Sequence, residues 1–168
     1  MNNGKNNIIL IGMPASGKST VGVILAKILG MDFIDTDIVI QQREGARLEE
    51  IIDIKGVEGF LEKEEQALLS IDASHTVIAT GGSAVYSQRG MKYLSEGSKT
   101  VYLKVELEDL KMRLKDIKQR GVVLRTGENL DSMYEIRTQL YERYSDITVA
   151  EQGDSIEDTV QAVLKAIR

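Results

Sequence analysis

The chain contains no cysteine among its 168 residues. Disulfides, thiolate zinc sites and cysteine nucleophiles are therefore excluded. It has one proline, Pro14, and no Pro/Ser-rich stretch that reads as a linker. No internal repeat or low-complexity block interrupts it. Basic charge is in deficit, with 21 Lys and Arg against 26 Asp and Glu and a formal net charge of −5. Proteins that hold nucleic acid through bulk electrostatics carry the opposite surplus. No nucleic-acid partner is expected, and any nucleotide must be gripped by a local site. Long apolar runs are missing too. The start, MNNGKNN, is polar, and the run behind it (8–11) is too short for a signal peptide or a membrane span. These features predict a cytoplasmic protein with no membrane contact. The single histidine, His75, sits in a loop-like segment and reads as surface, not as a base.

What is present suits one ordinary globular domain over 1–168. Apolar residues make up 42% and charged residues 28%, and the length leaves little room for a second unit. Short apolar runs alternate with longer amphipathic ones. Strands are expected at 8–11, 32–34, 76–79, 100–104 and 147–149. Helices are expected at 19–29, 37–43, 48–54, 59–71, 87–94, 106–117 and 155–167. In 19–29, Val21, Ile24, Leu25 and Ile28 recur at helical spacing and Gly30 stops the run. Strands alternating with helices predict an α/β fold: a central five-stranded parallel sheet with helices on both faces. Residues 118–129 (KQRGVVLRTGEN) have no clear period. Two glycines and two arginines there suggest a mobile lid.

The segment Gly12-Met13-Pro14-Ala15-Ser16-Gly17-Lys18-Ser19 fits G-x-x-x-x-G-K-[ST], between a predicted strand and a predicted helix. Each residue type has a reason. Glycines let the backbone curl so that N–H groups point at phosphate oxygens. The helix start adds its positive dipole end. Lys18 supplies a point charge for the β- and γ-phosphates, and Ser19 offers a hydroxyl to Mg²⁺. Gly12, Ala15, Ser16, Gly17, Lys18, Ser19 and Thr20 are the candidate nucleotide contacts. ATP with Mg²⁺ is the expected pair. The length leaves no room for a partner domain, and no guanine-reading N/T-K-x-D sequence occurs. A small nucleoside or metabolite kinase remains.

Asp35-Thr36-Asp37 follows the second strand, where such kinases place metal and substrate carboxylates. Thr80-Gly81-Gly82 follows the third. With Arg137-Thr138-Gln139-Leu140-Tyr141, this set resembles the shikimate kinase family over nearly the whole chain. The resemblance implies a three-layer P-loop kinase fold and phosphoryl transfer from ATP to a small-molecule hydroxyl, with shikimate the first candidate acceptor and aromatic amino acid biosynthesis the context. It implies that Asp35 holds Mg²⁺ through water. It implies that Asp37 contacts the acceptor hydroxyl and takes its proton, a role suited to a carboxylate beside a metal-bound phosphate. Either aspartate also suits a helix cap. Gly81 and Gly82 match a glycine run against which substrate lies. Arg113 matches an arginine that stacks on adenine. Arg120 matches the lid arginine that neutralises transition-state charge, and Arg125 is a second lid candidate. Arg137 matches a clamp on the substrate carboxylate. A monomer is expected.

Three positions depart from the family pattern. Ser83 stands where a third glycine is usual, and Gly121 where proline usually follows the lid arginine. The third matters most. The family carries F-R-x-x-E, whose arginine is a second carboxylate clamp, and here Phe60-Leu61-Glu62-Lys63-Glu64 puts Leu61 at that place. Losing a charge-assisted hydrogen bond costs about 1.5–3 kcal/mol. The helical neighbours of Leu61 are Val57, Glu58, Glu64 and Glu65, so no nearby basic residue substitutes. Either shikimate binds through Arg137 and a lid arginine, or the acceptor is another hydroxy acid, an amino alcohol or a zwitterion. A nucleoside monophosphate kinase fits the D-T-D element poorly. A non-catalytic ATP-dependent switch conflicts with intact Lys18, Ser19, Asp35 and Asp37.

Overall fold

A computed structural model describes residues 4–115, 122–151 and 155–168. Five strands form one sheet: Ile8–Ile11 (β1), Asp32–Asp35 (β2), Thr76–Ala79 (β3), Lys99–Lys104 (β4) and Ile147–Ala150 (β5). Their order is β2-β3-β1-β4-β5, and all neighbours are parallel. β1 is buried at every position, as expected of a central strand covered on both faces.

Alternation along the strands divides the core. Ile9 and Ile11 join Ile78 and Tyr102 on one face, against Leu68, Met91, Met133 and Tyr141. Those four come from Leu48–Leu69 (α3), Gln88–Ser95 (α4) and Leu130–Tyr144 (α6). Ile8 and Leu10 face the other way with Val77, Val101 and Leu103. They meet Val21 and Leu25 of Lys18–Leu29 (α1) and Val160 and Val163 of Ile156–Ile167 (α7). The result is three layers, with side chains splitting by the period of two. Each fully buried Val or Leu contributes about 1.5–3 kcal/mol, so the inward face of α1 anchors the phosphate loop before it.

Most expected elements lie within two residues of their predicted ends. The two helices expected at 48–54 and 59–71 correspond to α3, which ends at Leu69 and is divided where Gly56 leaves helical geometry at φ 70°, ψ 177°. A residue with a Cβ strains there. The helix expected at 106–117 is seen as Leu107–Arg113 (α5), and residues 116–117 lie outside the described ones. Thr36–Glu44 (α2) and the front of α3 make a third apolar cluster beside the sheet, containing Ile40, Ile51, Phe60 and Val123. His75 is exposed, as expected. No helix among the described residues is long and apolar enough to cross a membrane.

Candidate active site

Three strand ends meet at one place. Residues 12–19 follow β1, residues 35–37 join β2 to α2, and residues 80–83 follow β3. β1 lies between β3 and β4, so the connections leave it in opposite directions. Open α/β sheets bind ligands beyond the carboxyl ends of strands at such a point.

The loop after β1 is shaped by backbone conformation. Gly12 has φ 151°, and a Cβ there would lie 2.6 Å from the Leu103 carbonyl oxygen. Ala15 holds φ 63°, a conformation costly for a residue with a Cβ. Helix α1 begins without a side-chain cap and without an acidic residue in its first turn. Its first N–H groups are left for an anion. Lys18 is 7% exposed. Its ammonium donates to the carbonyls of Gly12 and Met13, both at 2.7 Å, and to Ser16 Oγ at 3.3 Å. Burial lowers its pKa to about 8, against the opposing pull of the Asp37 charge. Gly12 and Ser16 thus hold Lys18 from behind, while Ala15, Gly17, Ser19 and Thr20 line the cavity in front.

All three residues of D-T-D are engaged. Asp35 Oδ1 accepts the Asp37 N–H at 2.9 Å and caps α2. Its Oδ2 accepts the Ser19 hydroxyl at 2.6 Å. The capping role and a role at Ser19 therefore coexist on one carboxylate. Two hard oxygens at the phosphate loop suit Mg²⁺, which takes one or two protein oxygens and shares the rest of its shell with phosphates and water. Among the described residues no group of three His, Asp or Glu is placed to hold a metal alone. Thr36 is buried, and its hydroxyl accepts the Gly81 N–H at 3.1 Å. Asp37 stands over the same glycine: a Gly81 Cβ would lie 2.6 Å from Asp37 Oδ1. Burial, reinforced by the Asp35 charge, raises the Asp37 carboxyl to about 6. A Gly82 Cβ would fall 2.6 Å from Pro14 Cδ. Only glycine permits both approaches.

Arg137 and Tyr141 leave α6 one turn apart. Arg137 is 1% exposed. Its Nη2 donates to the Val123 carbonyl at 2.5 Å and its Nε to Tyr86 Oη at 3.4 Å. Its Nη1 is buried and has no partner among the described residues. Tyr141 Oη donates to the Gly82 carbonyl at 2.6 Å. Lys18, Asp37, Gly81, Gly82, Val123 and Arg137 share one cavity of about 300 Å³, a size suited to a small ligand.

The chain belongs to the shikimate kinase family. The family model described as "Shikimate kinase" matches residues 14–168. The chain is 38% identical over 147 residues to a shikimate kinase of Histophilus somni, covering 85% of this chain and 84% of that one. It is 36% identical over 168 residues to a shikimate kinase of Haemophilus influenzae, covering 97% and 93%. A solved shikimate kinase of Acinetobacter baumannii, in complex with shikimate, superposes with a TM-score of 0.84 at 31% identity, covering 95% and 91%. Shikimate kinases are ATP-dependent phosphotransferases that act on a hydroxyl group and use Mg²⁺.

One arginine read from the sequence sits at the rim. Arg113 Nη1 donates to the Ala15 carbonyl at 3.1 Å and its Nη2 pairs with Glu151 at 2.5 Å. That fixes it on the outer side of the phosphate loop. Arg120 lies outside the described residues, as does the first part of the lid read at 118–129. From the rest of that segment, Val122 and Val123 line the cavity.

No helical neighbour of Leu61 is basic, as expected, and Arg125, the second lid candidate, comes from that segment to a second cavity lined by Leu61, Glu58, Glu64, Ser83 and Tyr86. Its Nε lies 3.6 Å from Glu58, and its guanidinium stacks 4.6 Å from the Tyr86 ring centre. Spacing along the chain carries no signal of this. Glu64, matched to the family glutamate in the sequence, is a further buried residue of this wall. Glu64 is 1% exposed, and its Oε1 accepts the Ser83 hydroxyl at 2.7 Å. Burial raises its carboxyl to about 7, although the Ser83 bond works the other way. The serine in place of the third glycine was the available clue.

Proposed function

We propose that this chain phosphorylates shikimate, giving shikimate 3-phosphate and ADP. One observation carries the reading: the Asp37 carboxylate, the buried Arg137 guanidinium and the Lys18 ammonium line a single cavity. An acceptor with a hydroxyl at one end and a carboxylate at the other answers Asp37 and Arg137, and the phosphates of ATP answer Lys18. The Acinetobacter relative of the same fold holds shikimate, which supports the choice.

The lining of the site and the family resemblance support these roles. Asp37 orients the acceptor hydroxyl and takes its proton as the oxygen attacks the γ-phosphorus. Lys18 stabilises charge on the phosphates. Gly12, Ala15, Ser16, Gly17, Ser19 and Thr20 shape and line the phosphate loop, and Ser19 with Asp35 holds Mg²⁺. When bound, that ion offsets phosphate charge. Arg113 packs against adenine. Arg120 closes with the lid at about 118–129 and neutralises charge in the transition state. Gly81 and Gly82 give substrate a flat backbone floor, and Arg137 takes the carboxylate. With Leu61 in the usual arginine place, Arg137 carries that contact with a lid arginine. The chain acts as one domain over 1–168, as a cytoplasmic monomer, with a small-molecule acceptor and no nucleic acid.

The test is ADP release with ATP·Mg²⁺, with and without shikimate, in the wild type and in Arg137→Met. Shikimate-dependent release is expected, with KM for shikimate raised about 10- to 150-fold in the variant, the value of a lost charge-assisted bond. ATP binding with no shikimate-dependent release would overturn the acceptor assignment.

A further inference from the structure

Two buried charged groups meet near the acceptor site, Arg137 lining the first cavity and Glu64 the second, with Ser83 lining both. Five buried side-chain polar atoms lack a partner among the described residues, and two of these belong to charged groups: Arg137 Nη1 and Glu64 Oε2. Both residues are 1% exposed. Each feels the other's charge, yet they form no ion pair. An unmatched buried charge of either sign is costly. One donor and one acceptor are therefore left without a partner.

The sequence explains why Glu64 is unmatched. In F-R-x-x-E the arginine and the glutamate are three apart on a helix and are neighbours. Leu61 removes that neighbour. Ser83 engages only Oε1. The next basic group, Arg125, is held by Glu58 and Tyr86. Glu58, Glu62 and Glu65 line the space behind Glu64, so the wall is acidic.

Glu64 Oε2 also has a position relative to the reacting group. A Gly81 Cβ would lie 2.6 Å from Asp37 Oδ1 and 3.0 Å from Glu64 Oε2. Both oxygens thus flank one point on the cavity floor. A ligand whose hydroxyl meets Asp37 presents to Glu64 a group only a few bonds away.

We propose that this pocket also phosphorylates zwitterionic hydroxy acids, namely amino acids with a side-chain hydroxyl at the β or γ carbon. The proposal rests on the phosphoryl-transfer reading of the same site. The ammonium meets Glu64 Oε2, the carboxylate meets Arg137 Nη1, and the hydroxyl meets Asp37. An acceptor of net charge −1 matches Arg137 but gives an ionised Glu64 no cation, whereas a zwitterion matches both charges. With its carboxyl raised to about 7, Glu64 presents both forms near neutral pH. The protonated form suits a hydroxyl of shikimate, and the ionised form suits an ammonium. The acceptor oxygen forms a bond to the γ-phosphorus, the bond to the β–γ bridging oxygen breaks, and ADP leaves with that electron pair. The hydroxyl proton passes to the Asp37 carboxylate. The products are an O-phospho amino acid and ADP.

The experiment uses the full chain with ATP·Mg²⁺ and follows ADP release with five acceptors. These are L-homoserine and L-serine, their twins without the amine, 4-hydroxybutyrate and 3-hydroxypropionate, and shikimate. At least one amino acid is expected to exceed its twin about tenfold or more in kcat/KM, as one charge-assisted contact predicts. Mass spectrometry should find its phosphate ester. Glu64→Gln should close that gap. Leu61→Arg, which restores a guanidinium beside Glu64, should lower amino-acid turnover and raise that of shikimate. Shikimate turnover with amino acids no better than their twins overturns this inference and leaves the proposed function standing. Amino-acid turnover without shikimate turnover does the reverse. ATP binding with no acceptor-dependent ADP release overturns both.

Discussion

The Ser83 hydroxyl donates to Glu64 Oε1 at 2.7 Å, joining the turn after β3 to helix α3 across the floor of the acceptor site. Two departures from the family pattern meet in this bond. Leu61 removes a cation from beside the glutamate, and Ser83 supplies a neutral donor in its place. A hydroxyl stabilises a buried carboxylate less than a guanidinium does, which is why burial still dominates and holds Glu64 up at about 7.

That balance predicts how stability varies with pH. In the unfolded chain Glu64 ionises near its ordinary 4.5, and in the fold near 7. Between these values the folded state binds more protons, so this group's contribution to stability falls as pH rises through the window. Glu64→Gln removes the titration. The difference in Tm between variant and wild type should shift in the variant's favour from pH 5 to pH 8 and then level off. Parallel Tm profiles for the two proteins would contradict the burial argument.

Asp37 predicts the acid limb of the rate profile. It must be ionised to accept a proton, and burial with Asp35 sets its carboxyl at about 6. kcat/KM for the acceptor should fall about tenfold per pH unit below that value. Asp35→Asn removes a neighbouring negative charge, so the limb should move to lower pH. A limb that stays in place would mean another group is titrating.

The Ser19–Asp35 pair at 2.6 Å predicts a metal phenotype. Ser19→Ala and Asp35→Asn should each raise the Mg²⁺ concentration for half-maximal rate by about 10- to 100-fold, the usual cost of disturbing groups around a metal. ATP binding without Mg²⁺, read by calorimetry, should change little. Equal losses with and without the metal would point to the phosphate loop instead.

Tyr141 and Gly82 predict a split between stability and activity. Tyr141→Phe leaves the Gly82 carbonyl without its 2.6 Å donor and should cost about 1–3 kcal/mol in denaturant unfolding. Gly82→Ala pushes a methyl to within 2.6 Å of Pro14 Cδ, at the phosphate loop itself. Its main effect should be on kcat, with the larger fraction of stability kept.

Much of the fold was readable because its signals are local. The phosphate loop declares itself by eight contiguous residues, and β1 by an aliphatic run with no polar break. The break at Gly56 was legible as a gap between two helical patterns. Asp35, Asp37, Gly81, Gly82 and Arg137 were legible through resemblance. Their local reasons emerge only in three dimensions, as with Thr36, whose hydroxyl holds the Gly81 N–H. The unread parts are long-range. Ser83 and Glu64 are 19 residues apart, and no period links them. Arg125 reaches the wall beside Leu61 through a segment without periodicity. Side chains joined by the folded path of the backbone, and not by spacing, leave no pattern in one sequence.

The central claim is that Asp37 takes the proton of an acceptor hydroxyl while ATP gives up its γ-phosphoryl group. Single-turnover transfer from γ-³²P-ATP to shikimate, in the wild type and in Asp37→Asn, tests it most directly. The account predicts label on shikimate in the wild type. In the variant it predicts a transfer rate lower by about 10²–10⁴, the usual worth of a general base, with ATP affinity unchanged. Transfer at the wild-type rate in Asp37→Asn would contradict it.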